Sequence, residues 1–225
     1  MQFLLILRIE YHHLLYMMDF VFPFSTCENV NSSGMQPVSA LVNIMTTLIL
    51  VVCIFISNKM PVKIALGSFA MFEAFHAFSH IKHIPGAIQT NIVHVLGYLM
   101  SFATLYAILA LGGKRSHGMA QSSILILMGL VALDLYVWIF VKGIYTIFTG
   151  LAIFASVVVL NHDILPRLLK RGLPFLLAGL LIIFGLFVNE HYNCERMMRY
   201  KEFPYHIAVE IMGLVLFTAL AIMLL

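Results

Sequence analysis

Five side chains suited to chemistry stand out in an otherwise apolar chain: Ser79, His83, His94, His206 and Glu210. His206 and Glu210 are four residues apart, which on a helix stacks them on one face with side chains able to converge on a single ion. Ser79 and His83 share that spacing. Two imidazoles and a carboxylate, with a fourth position for water, make a known catalytic zinc set, and His83, His206 and Glu210 would supply it. Ser79, one turn before His83, is suited to donate a hydrogen bond to a developing oxyanion, and His94 to move a proton. Any one of them taken alone reads as well as a helix-to-helix hydrogen bonder. A common depth in a membrane is what would turn them into a site.

The elements must therefore deliver these residues to one face. The stretch GSFAMFEAFHAFSHIKHIP, from Gly67 to Pro85, carries Glu73, His76, Ser79, His80 and His83. At about 100° per residue these five fall on one stripe roughly 120° wide, with Phe69 and Phe72, while Met71, Phe75, Phe78 and Ile81 take the rest of the circumference. The stripe must face protein or water. Glu73 and His80 are expected to orient ligands rather than hold the metal. Asp134, in the middle of a later apolar run, is either a structural partner or a proton-handling group, because a carboxylate at that depth is costly alone. His12 and His13 receive no role.

Of the 225 residues, 62% are hydrophobic and 10% charged, and the mean hydropathy is +0.99. That composition excludes an ordinary soluble domain and predicts an all-α, polytopic membrane protein. A formal charge of +3, scattered over short loops, offers no patch for nucleic acid. The Met and Phe residues fit packing rather than a cofactor. MQFLLIL is followed at once by Arg8, Glu10, His12 and His13 with no small-residue cleavage site. The start of the chain thus reads as interfacial rather than as a cleaved signal.

Breaking the apolar runs at charges and Pro/Gly clusters predicts seven spans, at 38–57, 62–82, 90–112, 121–140, 143–161, 171–189 and 204–225. The expected architecture is a seven-transmembrane-helix bundle, residues 38–225, preceded by an N-terminal interfacial segment and polar loop, residues 1–37. Short connections make neighbours antiparallel. Seven Lys/Arg then fall on the side opposite the N-terminus and six on the N-terminal side, too even a split to orient the chain. Cys27 and Cys194 share the N-terminal side. A disulfide between them would put that side in an oxidising lumenal or extracellular space and the C-terminus in the cytosol; two unpaired thiols are the other reading.

In order along the chain, these motifs resemble the alkaline ceramidases, within the seven-span hydrolase superfamily that includes the adiponectin receptors. The resemblance runs from Ser25 to the C-terminus. STCENVNSSGMQPVSALVNIMTT, through Cys27, Glu28, Asn29, Asn43 and Thr46, is similar to the family's loop and first span. Ser79 and His83 match a Ser-x-x-x-His that ends span two, and PYHIAVEIMG matches a His-x-x-x-His with Glu210 in place of the second His. His94 stands where the family has Asp, and NEHYNCERM resembles the loop carrying the partner cysteine, Cys194. The resemblance implies zinc on His83, His206 and Glu210, hydrolysis of a ceramide-like lipid to a sphingoid base and a fatty acid, and a cavity open to membrane lipids. It also implies calcium in the N-terminal loop, for which Glu28, Asn29 and Asn31 are few ligands. Two rival readings remain. One is a silent lipid receptor of the same fold with a structural metal, favoured by the changes at 94 and 210. The other is a metal or proton transporter using Glu73, His76, His80 and Asp134, which would need polar groups to continue across span two.

Overall fold

The computed structural model describes residues 36–81, 86–113, 117–136, 146–193, 196 and 204–225. Among them are seven α-helices and no strand: α1 Pro37–Ile56, α2 Met60–Ile81, α3 Gly86–Leu111, α4 His117–Tyr136, α5 Thr146–Leu160, α6 Arg167–Tyr192 and α7 Pro204–Leu224. Each coincides with an expected apolar run to within about four residues. Four stretches are long and apolar enough to cross a membrane, Pro37–Ile56, Ile92–Leu111, Arg167–Glu190 and Tyr205–Leu224, and Ala120–Tyr136 is apolar but shorter. This is a membrane-embedded, all-helical chain. The polar stripe of α2 keeps that helix out of the apolar set.

Pro37 opens α1, where a missing N–H is lost at no cost. The backbone N–H of Gln36 donates to the carbonyl of His80 at 2.9 Å, fixing the start of α1 beside the end of α2. At the other end Lys59 Nζ donates to the carbonyl of Leu225 at 3.4 Å, so the α1–α2 turn lies by the C-terminus. These two bonds set the depth scale. α1 and α7 run the same way, α2 runs against both, and the end of α2 is level with the starts of α1 and α7. α7 packs on α1 and α6 and only lightly on α2, while α3 packs on α2, α4 and α5.

The core forms from one face of each helix. In α1 the buried stripe runs Ser39, Asn43, Thr46, Leu50, Cys53, at the three-and-four spacing of a helical face. In α2 it runs Val62, Leu66, Phe69, Glu73, Ala77, His80. Both stripes are polar at the N-terminal side and apolar at the other. Phe69 closes the lower half, its ring 5.8 Å from Phe154 of α5 and 5.5 Å from Phe217 of α7. Met71, Phe78 and Ile81 point outward, as the stripe requires, and Phe55 and Leu181 are among the most exposed apolar side chains. In a membrane that exposure faces lipid. α6 approaches α7 closely because Gly172 and Gly179 carry no side chain where Met223 and Leu216 press against them.

Candidate metal centre and its cavity

α2 contributes His76 and His80, four residues apart, and α7 contributes His206 and Glu210, also four apart. Each pair stacks along one helical face, and the two faces meet. One ligand atom from each of the four lies within 4.8 Å of every other. Their common focus is Glu210 Oε1, which stands 3.2 Å from His206 Nε2, 3.5 Å from His80 Nε2 and 3.6 Å from His76 Nε2. Donor atoms about 2.0–2.1 Å from a tetrahedral zinc stand about 3.3 Å apart, close to the three separations measured from Oε1. The rings of His76 and His80 are 4.7 Å apart and those of His80 and His206 are 5.0 Å apart. Three imidazoles and a carboxylate therefore fit a first-row divalent ion.

Glu190, near the end of α6, supports the cluster from behind. Its Oε2 is 3.2 Å from His206 Nδ1. A carboxylate that accepts from Nδ1–H fixes the tautomer and aims the Nε2 lone pair at Glu210 and the shared position, the arrangement that accompanies most metal-binding histidines. Glu190 and Glu210 are both buried. A divalent cation at the focus would meet the charge of ionised carboxylates where water does not reach them.

Beside the cluster lies a cavity of about 90 Å³, with apolar walls of Phe72, Val93, Met100, Ile183, Phe187 and Phe217. Glu73, His76, His94, Tyr98 and Glu210 bring polar atoms into it. Of the metal set, His76 and Glu210 line the cavity, whereas His80 and His206 stand behind them. A second network also reaches it, through His94 and Tyr98. Tyr98 donates its hydroxyl proton to Asp134 Oδ2 at 2.6 Å, and His94 Nδ1 lies 3.2 Å from both that oxygen and the tyrosine oxygen.

The sequence reading thus meets the structure unevenly. His206 and Glu210 converge as expected. His83 lies outside the described residues, and the imidazoles that α2 brings to them are His76 and His80. His80, expected to stand behind the ligands, is itself in the cluster. Ser79 turns its hydroxyl back on its own helix, donating to the carbonyl of His76 at 2.7 Å. His94 faces the cavity and pairs with Asp134, whose carboxylate therefore has an imidazole and the Tyr98 hydroxyl beside it. Glu190 and Tyr98 had not been singled out. Their signal was a polar atom in register with a buried apolar face, Ile183–Phe187–Glu190 in one case and His94–Tyr98 in the other. The pairing of Cys27 with Cys194 and the calcium candidates Glu28, Asn29 and Asn31 lie outside the described residues. Cys53 is a free, buried thiol. Below Glu73 the buried face of α2 is apolar, Ala70, Phe69, Leu66, Ala65 and Val62, so it offers no polar continuation toward the other side. No family model, characterised protein or solved structure matches this chain.

Proposed function

We propose that this chain is a seven-span, metal-dependent amidase of the membrane that acts on a ceramide-like lipid, with zinc held by His76, His80, His206 and Glu210. One observation carries the reading. Two pairs of donors from α2 and α7 converge on the wall of a mostly apolar interhelical cavity that a second hydrogen-bonded network, through His94 and Tyr98, also lines. Zinc in such a site supplies Lewis acidity toward an amide carbonyl and toward water. The protein's residues do the rest. The apolar walls hold the hydrocarbon next to the amide, and His76, exposed by 16% where the other side chains of the set are nearly fully buried, marks the approach. Asp134 and Tyr98 occupy His94 Nδ1, so this ring exchanges protons through Nε2 and is suited to protonate the departing nitrogen. The site lies toward the N-terminal ends of α1 and α7, the side we assign to the lumen or exterior, which leaves the C-terminus in the cytosol.

A second reading is favoured by one feature of the same cluster. Four protein donors complete a tetrahedron, and a closed shell is the mark of a structural metal. Hydrolysis requires the ion to take a fifth ligand or one donor to withdraw; a lipid receptor with a structural metal requires neither. Metal analysis of the purified full-length chain, followed by hydrolysis assays on N-acyl sphingosine in lipid nanodiscs with and without chelator, separates them. About one zinc per chain with chelator-sensitive release of fatty acid is expected. Full zinc loading with no fatty acid released at any pH overturns the amidase and leaves the receptor.

A further inference from the structure

Glu73 is a buried carboxyl, 4% exposed, in the second half of α2. The other carboxylates around the cavity each have a close partner: Glu190 has His206, Glu210 has three imidazoles, and Asp134 has Tyr98 and His94. Among the described residues Glu73 makes no hydrogen bond or ion pair. Burying such a group without a partner costs several kcal/mol, and packing alone would be served as well by Leu or Met. What Glu73 has instead is the cavity, which it lines together with His76, His94 and Glu210. A space of about 90 Å³ has room for several waters, so the natural company of this carboxyl is water held there. Glu73 precedes His76 by three residues, which sets it on the same helical face one turn deeper, beside the metal cluster but outside it.

We propose that Glu73 is the proton acceptor for the water that attacks the amide carbonyl. This rests on the amidase reading and adds to it a second proton carrier, on α2 where His94 is on α3. The water oxygen bonds to the carbonyl carbon as one of its protons passes to the Glu73 carboxylate. The carbon–nitrogen bond then breaks as the nitrogen takes a proton, either directly from the newly protonated Glu73 or from Nε2–H of a His94 imidazolium, to which Glu73 afterwards passes the proton it took from water. The products are a carboxylic acid and an amine, with no other reactant consumed. The geometry divides the labour: His94 is held by Asp134 and Tyr98, whereas Glu73, with no such partner among the described residues, is able to follow a moving proton.

The test uses full-length, zinc-loaded protein in nanodiscs. Glu73→Gln keeps the shape of the side chain and removes the acceptor, so N-acyl sphingosine hydrolysis is expected to fall by about 10²- to 10⁴-fold with zinc content unchanged. A second readout needs no variant. Dicyclohexylcarbodiimide, an apolar reagent that adds to carboxyls while they hold a proton, is expected to modify Glu73 of the parent during turnover, when the carboxyl carries the water's proton, seen by peptide mass spectrometry, with loss of hydrolysis in step with labelling. Glu73→Gln retaining activity within about tenfold of the parent overturns the proposal, as does full hydrolysis after Glu73 has been modified. If Glu73→Gln does not fold, the labelling arm decides, and an unlabelled Glu73 in a protein that the reagent nevertheless inactivates also overturns it. A zinc-loaded parent that hydrolyses no amide removes the amidase reading itself, an outcome distinct from failure of Glu73 in an active parent.

Discussion

Asp134 sits on α4, where an isolated carboxylate is expensive, and the structure spends two neighbours on it. Tyr98 donates to Oδ2 at 2.6 Å, a short hydrogen bond, and His94 brings Nδ1 to 3.2 Å. An acceptor at Nδ1 holds the imidazole in one tautomer and one orientation, which is what a ring that passes protons through Nε2 requires. His94→Ala is therefore expected to lower hydrolysis by about 10²- to 10⁴-fold while zinc stays bound, because His94 is outside the metal set. Asp134→Asn retains the shape but offers an amide where the ring needs an acceptor, and a smaller loss, about 10- to 100-fold, is expected with unchanged metal content. Metal analysis beside the rate assay checks both. Loss of zinc in His94→Ala would put this ring in the coordination shell and end its role as a proton carrier. The cost of Asp134 could be read from its position in an apolar run. Its partner could not, since Tyr98 and His94 are more than thirty residues away and only the register of α3 against α4 joins them.

The helices themselves were legible, because apolar length broken by charge and proline is a one-dimensional signal. The choice of histidines in α2 was not. His76, Ser79, His80 and His83 all fall on one stripe, and periodicity gives an angle around the helix but no depth along it. Depth comes from the neighbours, here the bond from Gln36 to the carbonyl of His80 and the level at which α7 begins. That level in turn depends on how closely α6 carries α7. A side chain at Gly179 would collide with Leu216, whereas one at Gly185, nearly two turns along the same helix, would meet nothing within 4 Å. Gly179→Val is expected to destabilise the protein by about 1–3 kcal/mol. It should also lower zinc content, because moving α7 off α6 separates His206 from Glu190 and weakens the aim of its Nε2. Gly185→Val should do neither to a comparable degree. Thermal unfolding in detergent and metal analysis of the pair give the comparison, and equal effects at the two positions would remove α6–α7 packing as the device that positions His206.

Across the whole molecule, the cluster does more than offer donors. α7 is packed mainly on α1 and α6 and touches α2 lightly, yet the four donors are divided evenly between α2 and α7. A bound ion therefore clasps two helices that side-chain packing joins only weakly, and because α1 lies against both, it closes the bundle at the end where Gln36 meets His80. A ligand that binds only the folded state adds RT ln(1 + [L]/Kd), about 2.7 kcal/mol at a hundredfold excess over Kd. For a chain of this size that corresponds to a shift of about 5–10 °C in Tm. Chelation of the purified protein is expected to lower Tm by about that amount and re-addition of zinc to restore it, while His80→Ala, which removes one donor of the clasp, should start lower and respond to neither. The pattern also bears on the choice between catalyst and receptor. A closed four-donor shell holds its ion tightly, so a large Tm shift without hydrolysis is the signature of the receptor. An ion that keeps a position for substrate is held by fewer bonds, so a modest shift accompanied by complete, reversible loss of hydrolysis is the signature of the amidase. A Tm indifferent to both chelator and zinc, in the parent as in His80→Ala, would mean that the four side chains hold no ion and that both readings of the cluster fail together.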